Sequence, residues 1–151
     1  MRRAALLAVA LLLAAAATVN ADTYPKVSGT YGYEVNGAIS TVTLDAEADG
    51  LGSGTFTFSR PGVSMAGDVA CVSIHKQDAM VWGVVTEAVG TDATIWGTWV
   101  HDGGLPGGEG DLAMSFAAPG VELPAKCNIP PAWGSSAKSL VPITAGDIVI
   151  D

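Results

Sequence analysis

The sequence predicts an all-β fold: a single antiparallel β-barrel, or a barrel-like sandwich, of about eight strands behind an N-terminal signal peptide. Three observations carry that expectation. Short segments with period-two alternation of apolar residues recur along the chain at fairly even spacing. Turn residues divide them, among them Asn36-Gly37 and Arg60-Pro61-Gly62. Beyond the leader, no long stretch repeats with the 3.6-residue period of a helix.

The leader comes first. Arg2 and Arg3 are basic, Ala4–Ala17 holds nothing but Ala, Leu and Val, and Val19-Asn20-Ala21 closes on small residues. This is the pattern of a cleavable signal peptide at 1–21. The apolar run is shorter than the roughly 20 residues that span a bilayer, and no cysteine stands at the boundary to take a lipid. The mature chain is then Asp22–Asp151, long enough for one core and destined for an extracellular, periplasmic or cell-surface location. It keeps five basic side chains (Lys26, Arg60, Lys76, Lys126, Lys138) against fifteen acidic ones, a net charge of −10. Such a surface excludes nucleic acid, which needs clustered cations, and anionic membranes. It is compatible with cations, basic partners or simple solubility.

Val27–Val35 reads as the first strand, with Tyr31, Tyr33 and Val35 on one face. Asn36-Gly37 is a tight hairpin turn leading back into Ile39–Leu44. An acidic, glycine-rich loop over 45–54 precedes Gly54–Arg60, where Phe56 and Phe58 alternate with Thr55, Thr57 and Ser59. Val63–His75 is the longest strand, and its apolar phase shifts, which calls for a bulge near Ala70–Val72 or a bend at Gly67-Asp68. Ala79–Thr86 and Thr94–Val100 follow. Both are apolar on both faces around a central glycine, Gly83 or Gly97. Asp111–Phe116 alternates again. The stretch 117–145 is irregular and holds five prolines, and Gly146–Asp151 reads as the closing strand. Glycines and a bulge are devices that let a sheet curl and close, which favours the barrel over the sandwich. The segments look shorter than the strands of an outer-membrane barrel, which run about ten residues.

Cys71 and Cys127 are the two cysteines. In an exported chain they imply a disulfide, which would close a long loop for roughly 4 kcal/mol of stabilisation. It would also staple the irregular late stretch to the body. No CxxC or Cys-x-His spacing points to a metal.

Catalytic signatures are missing. Gly62-Val63-Ser64-Met65-Ala66 approaches the G-x-S-x-G elbow, yet its serine lies within a strand pattern with no helix after it. Gly50–Gly54 lacks phosphate-loop spacing. His75 and His101 lie at strand ends near Asp78 and Asp102, where convergence would permit a zinc or copper site; solvated histidines are the simpler reading. Asp45, Glu47 and Asp49, and Asp102, Glu109 and Asp111, are two acidic groups that fit no EF-hand order and read as solvated loops. The sequence therefore assigns no metal, no cofactor and no catalytic residue. Trp82, Trp96 and Trp99 sit on adjacent strands. They fill the core or, if the barrel has an open mouth, line an apolar ligand pocket.

Gly67-Asp68-Val69-Ala70-Cys71, the Asp102-Gly103-Gly104 loop, Gly110-Asp111, a late cysteine and Gly146–Ile150 together resemble a group of small secreted bacterial proteins, over roughly residues 50–151. The resemblance implies export and an all-β domain with paired cysteines, and carries over no catalytic residue. The leading expectation is a non-enzymatic exported β domain of binding or interaction type. Its partner is then an extracellular protein or a small apolar ligand. A small-ligand carrier, lipocalin-like or avidin-like in shape, is the alternative, and an enzyme stands third.

Overall fold

The computed structural model describes residues 23–105, 107–120, 122–123, 127 and 139–151. The leader at 1–21, Trp133 and most of the irregular late stretch lie outside the described residues. The chain is all-β. Eight strands form a closed antiparallel barrel in sequence order, β1 to β8, with β8 returning to pair β1. They are β1 Lys26–Val35, β2 Ala38–Glu47, β3 Ser53–Arg60, β4 Val63–His75, β5 Asp78–Val89, β6 Ile95–His101, β7 Leu112–Ala118 and β8 Val141–Ile150. Among the described residues no helix is long and apolar enough to cross a membrane.

Alternation decides which side chains enter the barrel. On β2, Ser40, Val42, Leu44 and Ala46 are buried while Thr41, Thr43, Asp45 and Glu47 face water. On β3 the pair Phe56 and Phe58 is buried between exposed threonines. The apolar set is inside and the polar set outside, the reverse of a porin-type wall. Strand length does not make that distinction, because β1, β2, β4, β5 and β8 all reach ten residues or more.

The expected bulge is present. The β4–β5 register slips between Val69 and Cys71, and again between Ala66 and Gly67. Each extra residue raises the local twist, and the first slip turns Cys71 outward beside its register partner Trp82. The mid-strand glycines make room for rings. A methyl group at Gly83 would meet the Phe56 ring inside the barrel, and one at Gly97 would meet Phe116 outside it. The Phe56 ring stacks on Trp96, centroids 4.3 Å apart and planes 10° from parallel. Around this pair Tyr31, Leu44, Val42, Val81, Val100 and Ile148 complete a buried interior.

The last strand differs from the expectation. It begins at Val141, five residues before Gly146, and carries Pro142. A proline is tolerated there because the β7–β8 ladder is only two pairs long, Leu112 with Pro142 and Ala113 with Val141. Below those pairs β8 runs on without β7. Its amides are taken up instead by the loop 102–111, and Ile143 N–H donates to the Asp111 carbonyl at 3.0 Å. Cys71 and Cys127 are paired at disulfide distance, Cα–Cα 5.4 Å.

Candidate functional site

The two ends of the barrel differ. At the end formed by the β4–β5 turn and the loop 102–111, two carboxylates close the structure. Asp111, 1 % exposed, accepts hydrogen bonds from the Gly103 and Ile148 amides at 2.8 and 3.1 Å. Asp102 accepts from the Gly104 and Ile150 amides. Burial pushes the Asp111 carboxyl above the ordinary carboxylate range, and the two amide donors oppose that shift. The acidic loop is therefore a seam closure for β8, and among the described residues no three His, Cys, Asp or Glu gather to hold a metal.

The opposite end carries the β3–β4 turn and the loop 90–94, and among the described residues a cavity opens here. A cavity of about 240 Å³ is lined by Phe58, Arg60, Val63 and Met65 from β3 and β4, Thr91 from the loop, Trp96, and Ser115, Phe116 and Ala117 from β7. Phe58 and Arg60 share the inward phase of β3, and Met65 and Val63 are their register partners on β4. Trp96 and Ser115 come from β6 and β7. The Trp96–Phe56 stack lies inside the barrel beside it, so the space is confined to one end and is not a calyx through the molecule.

A chain of hydroxyls runs from the core to this cavity. Thr98 is fully buried and spends its proton on the Met114 carbonyl, 3.1 Å. With that proton committed, Tyr31 Oη and Ser115 Oγ, at 3.0 and 3.1 Å, both donate to Thr98. Tyr33 hydrogen-bonds Ser115 and Ser40. Burial raises its phenol pKa against those bonds and against the charge of Arg60, so the ring stays neutral. Buried polar atoms left without a hydrogen-bond partner among the described residues include Asp49 Oδ1 at the other end and one beside this cavity. The indole N–H of Trp96 has no hydrogen-bond partner although the residue is 0 % exposed. A buried donor without an acceptor costs about 1–3 kcal/mol.

The tryptophans expected to act together separate onto two faces. Trp96 points inward. Trp82 and Trp99 lie on the outer wall, Trp82 edge-on to Phe116 with centroids 4.5 Å apart across Gly97. The histidines also lie outside. His101 Nδ1 is 2.9 Å from Asp78 Oδ1, both side chains about one-third exposed, with His75 across the ladder from the same aspartate. Ser64 is exposed on the outer face of β4. Asp45 and Glu47 face Lys26, the nearer contact 2.7 Å.

No protein-family model, curated protein or solved structure matches this chain. The cavity therefore rests on its own chemistry. Arg60, Phe58, Met65 and Ser115 were not among the residues the sequence singled out. A signal was present for Arg60: it continues the inward Phe56–Phe58 phase, an unusual place for a guanidinium.

Proposed function

We propose that this is an exported, non-enzymatic β-barrel that binds a small molecule at its mouth. The observation that carries the reading is the 240 Å³ cavity lined in part by Trp96, whose buried indole N–H has no acceptor. Ligand sites are concave, mostly apolar and furnished with a few polar groups, and Phe58, Val63 and Met65 beside Arg60 and Ser115 supply that mixture. Export is supported by the basic and apolar leader and by the cysteine pair, which fits an oxidising compartment.

The rival readings have less support. An interaction surface would present a contiguous apolar patch. The large exposed apolar residues, among them Tyr24, Ile39, Leu51, Val89 and Leu105, are scattered over both ends of the barrel. Acid–base catalysis needs its groups in a cleft, and the His101–Asp78 pair stands on the outer wall. Titrating the ¹⁵N-labelled protein with hexanol tests the proposal. A saturable shift of the Trp96 indole resonance with the Trp99 indole unmoved is expected. An unmoved Trp96 resonance would mean that the mouth admits nothing.

A further inference from the structure

We infer that the ligand of the mouth is a small organic monocarboxylate, a class that rests on the mouth being a binding site and goes beyond that reading. Size comes first. Benzene, six non-hydrogen atoms, occupies an apolar cavity of roughly 150 Å³ in another protein; by that scale about 240 Å³ holds roughly ten. The ligand is thus a short acyl chain or a single substituted ring, far below a lipid in size.

The polar groups then select its head. Arg60 is a cation bordering the cavity. Among the described residues the ion pairs are those of Lys26 with Asp45 and Glu47 and of His101 with Asp78, so the guanidinium faces no protein carboxylate within 4.0 Å. Trp96 offers an N–H that has no acceptor, while the Ser115 and Tyr33 hydroxyls are already engaged with Thr98, Ser115 and Ser40. Every unmet demand is for an acceptor, and one is for negative charge. A guanidinium fork matches a carboxylate in two parallel hydrogen bonds. The charge must be single. One arginine cannot neutralise a dianion such as a phosphate monoester in a partly dry site, and the chain as a whole carries a charge of −8 that repels anions. The remaining wall, Phe58, Val63 and Met65, is apolar and receives the hydrocarbon body.

The experiment uses three probes of one chain length, hexanoate, hexanol and hexylamine, on the oxidised protein at pH 7, read by calorimetry and by the Trp96 indole resonance. Hexanoate is expected to bind at least tenfold more tightly than hexanol, and hexylamine more weakly than either. Arg60→Gln, at an exposed rim position outside the core, should lower hexanoate affinity to that of hexanol and leave hexanol unchanged. Trp96→Phe should weaken hexanoate about tenfold and abolish the indole signal. Equal binding of hexanoate and hexanol, or an acid preference that survives Arg60→Gln, overturns the carboxylate assignment and leaves the mouth as a neutral apolar site. Failure of all three probes to bind removes the mouth reading itself.

Discussion

Replacing Asp111 with Ala should open the β7–β8 seam, and the cost follows from its two donors. The Ile148 amide lies in a fully buried residue; losing its acceptor leaves an orphaned N–H worth about 1–3 kcal/mol. The Gly103 amide sits in a half-buried loop where water can replace the carboxylate, so its share is smaller, about 0.5–1 kcal/mol. Together the loss is about 1.5–4 kcal/mol, or a fall in Tm on the order of 10 °C for a domain of this size. Urea unfolding measures it as a lower midpoint with an unchanged slope. Hydrogen exchange should quicken first at Ile143, Ile148 and Ile150, the β8 amides that the loop 102–111 holds. Asp111→Asn keeps one acceptor and should lose less. The carboxyl pKa is raised, so the folded state binds the proton more readily than the unfolded chain. This group's contribution to stability is therefore fully present below the ordinary carboxylate value and is lost as pH rises from there through the raised value. The deficit of Asp111→Asn relative to wild type should accordingly widen on acidification from pH 7. A variant within 0.5 kcal/mol of wild type would refute the seam account; a deficit that narrows in acid would show instead that the amide donors outweigh burial at this carboxyl.

Other perturbations follow from the same packing. Removing both Cys71 and Cys127 should cost up to about 4 kcal/mol, and urea unfolding of the oxidised protein with and without reductant should give the same difference. Gly97→Ala should lose about 1–3 kcal/mol by overpacking against Phe116; adding Phe116→Leu should recover part of it, and an additive double variant would deny the contact. Tyr31→Phe removes one buried hydroxyl bond and should cost about 0.5–1.5 kcal/mol by chemical denaturation, because Thr98 keeps Met114 and Ser115.

The strands were legible because each buries one face, and period two then prints itself on the sequence. Val42, Leu44 and Ala46 against Thr41, Thr43 and Asp45 leave no second reading, and the slip at Val69–Cys71 shows as a change of apolar phase. The fate of the tryptophans was not legible. β5 and β6 are apolar on both sides, since the outer wall there also carries rings and nearly buried residues such as Met80 and Trp99. Alternation cannot assign a face when both faces are apolar. The role of Asp111 was hidden for another reason. A carboxylate in a glycine-rich loop reads as solvated unless one knows that β8 passes beside it, and that neighbour is 37 residues away.

The stagger of β7 against β8 connects the seam to the site. Pairing stops at Ala113, so Ser115, two residues beyond and on the same inward phase, has no β8 neighbour in the ladder. That gap frees Ser115 to receive Tyr33 from β1 and to border the cavity. Extending β8 upward would fill the ladder and bring further side chains over the opening. Sliding it downward would instead leave the Asp111 and Asp102 carboxylates without the amides they hold. Among the described residues, the same register that obliges the acidic loop to close one end therefore leaves β7 without β8 beside the cavity that Arg60 and Trp96 line at the other. A core assembled for packing alone would have placed an acceptor near Trp96. That indole lines the cavity that Arg60 also borders, and there it is better understood as recognition than as a defect of packing.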